Sequence, residues 1–127
     1  MTLPPLLSQH IEELRRQGFV IDLTESAGEI CIVFKDYPLS PGIWSKDKVD
    51  LLVVATPAYP NAKMDMFWVT PGLQLKDGRS PEAASSMENH CGKEWQRFSW
   101  HPLSWNPASD NLMTHLELVN HRLHMSR

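Results

Sequence analysis

Residues 89–107, "NHCGKEWQRFSWHPLSWNP", bring Cys91, Ser99, His90, His101 and three tryptophans into one short stretch. A thiolate attacks and leaves readily, so Cys91 suits nucleophilic transfer of an acyl group. His90 before it and Gly92-Lys93 after it make a flexible, cationic setting that favours the thiolate. Ser99 is the rival nucleophile. If "QRFSWH" is extended, Ser99 and His101 point to one face, and the imidazole can take the hydroxyl proton. The plainer alternative makes Cys91 a loop filler, turns Ser99 to local backbone, and leaves His101 half-buried before Pro102.

The neighbouring residues divide the same way. Cys31 lies between Ile30 and Ile32 and reads as an inert core thiol. Trp95, Trp100 and Trp105 recur every five residues, which suits no single helix or strand face; such rings anchor irregular chain to a core. Asp65, in "MDMFW", is an acid in an otherwise apolar run, bonded to the long segment or facing water. His90, Cys91 and His101 offer three zinc ligands, with His115, His121 and His124 beyond. None forms a paired ligand motif, so no metal and no cofactor are expected. There is also no glycine-rich phosphate loop, so an activating partner must supply any ATP chemistry.

The elements that must position these groups are legible as periods. Leu6, Leu7, His10, Ile11 and Leu14 repeat at helical spacing opposite Glu12, Glu13, Arg15 and Arg16, giving a helix over 5–17 that stops at Gly18. "FVIDLTES" and "EICIVFKDYPL" flank Ala27-Gly28 as two antiparallel strands. "VDLLVVATPAYP" makes a third, ended by proline, and "MDMFWVTPG" a short fourth. Residues 72–107 carry no sustained period; a connection of that length inside a compact domain is usually functional. Leu112, Leu116, Val119 and Leu123 then mark a closing helix over 109–124, with Ser109 or Asp110 as its cap. The fold class is α+β, with helices on one antiparallel four-strand meander in a single domain, 1–127.

The balance of residues excludes several classes. A net charge of −3 provides no basic footprint for nucleic acid. Apolar runs fall well short of the roughly 20 residues that span a membrane, and the start shows no signal-peptide pattern. Two cysteines make no disulfide framework, so free thiols in a reducing cytoplasm are expected.

That order of elements, with Tyr59-Pro60 after the third strand, "PNAKMDMFWV" as the fourth, and Trp105-Asn106-Pro107-Ala108 before the last helix, resembles the ubiquitin-conjugating (UBC-like) fold. More narrowly, "YPNAKMDMFWVTPGLQLKDGRSP", "WQRFSWH" and "WNPASDNLMTHLELV" are similar to the bacterial branch called prokaryotic E2 family E, over residues 18–123. The resemblance implies a transferase that accepts a ubiquitin-like protein from a ThiF/E1-like adenylating enzyme as a thioester or ester and passes it on. It also implies a JAB-type metalloprotease in the same pathway, and a first helix whose Glu12, Glu13, Arg15 and Arg16 face the activating enzyme.

Two departures bear on the nucleophile. The His-Pro-Asn triplet of conjugating enzymes is absent; Thr70-Pro71-Gly72 stands nearest and lacks the amide that would stabilise an oxyanion. Asn89 or Asn106 could replace it, although a turn role suits both. The family's active cysteine lies about eight residues before the Trp-x-Pro tryptophan; here Arg97 holds that offset, Ser99 follows it, and Cys91 lies fourteen before Trp105. Cys91, Ser99 and His101 are therefore the candidate catalytic residues, and a non-catalytic adaptor binding the ubiquitin-like protein or its activating enzyme is the alternative.

Overall fold

The computed structural model describes residues 3–127. Helix α1 spans Pro5–Arg16, with proline in its first turn and Arg15 and Arg16 in its last, where their charge suits the helix dipole. It buries Leu7, Ile11 and Leu14. Strands β1 (Ile21–Ser26) and β2 (Glu29–Pro38) join through Ala27 and Gly28, both at positive φ, the two-residue turn that matches strand twist. β3 is Lys48–Ala55 and β4 is Phe67–Val69. Helix α2 spans Leu112–Leu123. Its cap is Asn111, whose side chain accepts from the Met113 and Thr114 amides, so the cap is neither Ser109 nor Asp110.

The sheet departs from the expected four strands. β1 to β4 do lie in sequence order, but residues 72–107 are not irregular throughout. They contribute a hairpin, β5 (Ser86–His90) and β6 (Lys93–Phe98), turned by Cys91 and Gly92, again both at positive φ. β6 pairs with β4, giving the antiparallel order β1-β2-β3-β4-β6-β5. Two residues hid this hairpin's period. Gln96 points inward where an apolar residue would mark a strand, and Met87, its partner on β5, is exposed.

Gln96 is 3% exposed, yet fully bonded. Its Oε1 accepts from the Gly72 and Leu73 amides at 3.1 and 2.9 Å, and its Nε2 donates to the Leu73 and Ala84 carbonyls at 3.1 and 2.9 Å. One amide side chain thus ties both ends of the 72–84 segment to β6, as a buried polar group must if it is not to cost stability.

Alternation divides the sheet into two apolar faces. The inner face carries Ile30, Ile32, Phe34, Leu51, Val53, Phe67 and Phe98 beneath both helices. Phe67 and Phe98 stack there at 4.7 Å, a pair worth about 1 kcal/mol beyond its buried area. The outer face carries a smaller cluster of Cys31, Leu52, Trp68 and Trp95. Arg122 of α2 is fully buried. Its guanidinium lies over Trp100, Phe98 and Trp44 and donates to the Glu82 carbonyl, holding the irregular chain against the core. Among the described residues, no helix is long and apolar enough to cross a membrane.

Candidate functional site

The polar groups of interest gather at the two ends of β6. At its start, the Cys91–Gly92 turn lays the hairpin tip over the outer face of β2. There Cys91 is disulfide-bonded to Cys31, sixty positions earlier, with 6.7 Å between their Cα atoms. This corrects the expectation of free thiols. Cys31 does not join Ile30 and Ile32 in the main core; strand alternation turns its side chain to the opposite face, under the hairpin. The reading of a reducing compartment from unpaired cysteines loses its ground with it.

His90 braces the same contact. Nδ1 lies 3.0 Å from Glu29 Oε1 and Nε2 lies 3.0 Å from Glu88 Oε1, while the ring sits 4.6 Å from that of Trp68. Burial works against a charged imidazole here, but the two carboxylates outweigh it and raise the His90 pKa. The imidazolium can donate to both at once, whereas the neutral ring can serve only one. Glu88 is pulled down, first by His90 and then, against burial, by the Trp68 indole and Arg97.

Ser99 and His101 stand beyond the other end of β6. Six strand residues at about 3.3 Å each separate the two ends by roughly 20 Å, so Cys91 and His101 do not form one catalytic pair. Ser99 Oγ accepts from Arg97 Nε at 3.0 Å, and Ser99 N donates to the Ala83 carbonyl at 2.8 Å. The strand ends at Phe98, and Trp100 turns back to donate to its carbonyl. The expected hydrogen bond between Ser99 and His101 is absent among the described residues. His101 Nδ1 instead meets Asp65 Oδ1 at 2.6 Å. Asp65 thus bonds the long segment, with Lys63 3.8 Å from its other oxygen.

The turn that precedes Asp65 is tied to both helices. Tyr59, preceding a cis bond to Pro60, receives the Leu112 amide of α2 at 2.7 Å and meets His10 of α1 at 2.7 Å. Trp105 donates to the Pro60 carbonyl at 2.8 Å. Trp95 is buried, and Trp100 and Trp105 pack against the core, so the three rings anchor the chain as expected. Asn106 shapes a turn: its Oδ1 accepts from Ala108 N, and its own amide donates to Asp110. Asn89 lies in β5 opposite Glu94. Neither supplies a donor beside Ser99. The donor present there is Arg97, whose Nη1 also binds Glu88 at 2.6 Å. Its eight-residue offset from Trp105 was visible in the sequence; its bond to Ser99 was not. No group of metal-ligating residues converges among the described residues.

A family model, prokaryotic E2 family E, matches residues 6–126, nearly the whole chain. The chain belongs to that family. No curated protein and no solved structure matches it. Membership fits the α+β architecture, an N-terminal helix, an antiparallel sheet and a closing helix, and places the protein among E2-like, UBC-fold chains. Within this prokaryotic E2 family E member, the hairpin β5–β6 occupies the stretch between the fourth strand and the Trp-Asn-Pro-Ala motif.

Proposed function

We propose that this chain is a conjugating transferase. It accepts a ubiquitin-like protein from a ThiF/E1-like adenylating enzyme, holds it as an ester and hands it on. The observation that carries this reading is the group at the far end of β6, where Ser99 Oγ accepts from the Arg97 guanidinium and His101 stands exposed on Asp65. Donation from a guanidinium to the Ser99 oxygen favours the deprotonated hydroxyl, the form that attacks a carbonyl. In the transfer, the Ser99 oxygen–carbon bond forms and the bond to the delivering group breaks. The hydroxyl proton passes to His101, once its free Nε2 turns toward Ser99, and then to the departing group. Cys91 takes the same role, as a thioester, only in the reduced protein, because its sulfur is engaged with Cys31. A JAB-type metalloprotease acts in the same pathway, and the face of α1 with Glu12, Glu13, Arg15 and Arg16 meets the activating enzyme.

The test is to incubate the chain with its activating enzyme, ubiquitin-like partner and ATP, with and without reductant, and to measure intact mass. An adduct lost in Ser99→Ala but kept in Cys91→Ala assigns the hydroxyl. An adduct that needs reductant and disappears in Cys91→Ala assigns the thiol. The disulfide between Cys91 and Cys31, which withholds the thiol, favours the second reading, a non-catalytic adaptor. Partner binding with no adduct in either condition would establish it.

A further inference from the structure

We infer that Asp65 is the positioning residue for His101: it fixes the neutral ring as the Nδ1–H tautomer, which leaves Nε2 as the open proton acceptor of the site. A carboxylate oxygen offers only lone pairs, so the 2.6 Å contact between Asp65 Oδ1 and His101 Nδ1 places the proton on Nδ1. Nε2 has no hydrogen-bond partner among the described residues, and the His101 side chain is 56% exposed. One nitrogen is anchored and the other faces outward.

The backbone is built to hold the two residues together. Met66, directly after Asp65, sits at φ +59°, a left-handed conformation that costs a non-glycine residue about 1 kcal/mol. Its amide donates to the Trp100 carbonyl at 3.0 Å, and its own carbonyl receives His115 Nε2 at 2.8 Å. Residues 65–66 and 100–101 are thereby clamped side by side, with the strain met by bonds on both sides of Met66. Strain of this kind persists where surrounding contacts over-determine it, and such places cluster at functional sites.

This inference rests on the transfer reading for its chemical consequence but not for its geometry. As an incoming amine attacks the ester carbonyl, the nitrogen–carbon bond forms and the bond to Ser99 oxygen breaks. The amine proton moves to His101 Nε2 and then to the departing oxygen, while Asp65 neither gains nor loses a proton.

The experiment is a two-bond proton–nitrogen correlation on the imidazole rings of the full chain, with diethyl pyrocarbonate acylation of His101 followed by peptide mass. The wild type shows the Nδ1–H tautomer and reacts at His101. In Asp65→Asn the side-chain amide donates to Nδ1, the proton moves to Nε2 and acylation falls; Asp65→Glu restores both. A wild-type ring in the Nε2–H form, or a tautomer unchanged in Asp65→Asn, overturns the inference. Discharge of the loaded chain to free lysine should fall about 100-fold in Asp65→Asn and recover in Asp65→Glu. Equal discharge in wild type and Asp65→Asn also overturns it. The predicted tautomer without any adduct supports Asp65 and sinks the transferase reading instead.

Discussion

Cys91 and Ser99, two candidate nucleophiles eight residues apart in sequence, stand at opposite ends of β6, one bonded to Cys31 and the other to Arg97. The strand that separates them makes their roles exclusive: one end of β6 is a fastening, and the other carries the exposed histidine.

The bond between Cys31 and Cys91 closes a loop of about 60 residues, for which chain entropy gives about 4 kcal/mol of stabilisation. The oxidised chain should be lighter than the reduced one by two hydrogen atoms in intact mass. Iodoacetamide should label it only after reductant. Cys31→Ala should lower stability in denaturant melts by about that amount relative to the oxidised wild type, and by little relative to the reduced one.

His90 couples the hairpin tip to pH. Its pKa is raised in the folded state above the ordinary 6.5, against burial, by Glu29 and Glu88. The folded chain therefore binds the proton more tightly than the unfolded one, and the stabilisation is fully present below pH 6.5. It is lost as pH rises through the folded value. The stability difference between wild type and His90→Gln, measured by urea melts at a series of pH values, should be largest below pH 6.5 and shrink steadily above it. A difference that grows with pH would contradict the clamp.

Gln96 tests how the 72–84 segment is held. Gln96→Leu leaves the Gly72 and Leu73 amides without their acceptor; Gly72 is exposed, but Leu73 is buried, and an orphaned buried donor costs about 1–3 kcal/mol. The melt should shift by that amount, and amide exchange should accelerate first at Leu73. A neutral substitution would mean that water replaces the side chain there.

At the start of α2, Asn111→Ala removes the acceptor for two amides and should cost about 1 kcal/mol, whereas Ser109→Ala and Asp110→Ala should leave the helix cap intact. Thermal melts of the three variants would separate them.

Much of the frame was legible because it repeats. The helix over 5–17 appears as Pro5–Arg16, and four apolar runs became β1 to β4, since apolar residues at a fixed period must share a buried face. The second hairpin escaped notice because its inward residue is an amide satisfied by four bonds to chain elsewhere, which no local pattern announces. The disulfide escaped for another reason: two cysteines sixty positions apart carry no information about a tip that reaches past β4 and β3 to β2. Asp65 stood out as a lone acid among apolar neighbours, yet its partner lies thirty-six residues on, at a distance only the fold supplies. Arg97 likewise had the right offset without showing what it would touch.

The fastening of β5–β6 also bears on how copies of this chain meet one another. β5 is the last strand of the sheet, and a last strand normally offers a row of open backbone groups to any neighbour that can align with it. Here that border is short, carries the charge of Glu88, and is drawn at one end toward β2 by a covalent bond. Such a border is a poor template for aggregation, and cutting the bond would loosen the guard.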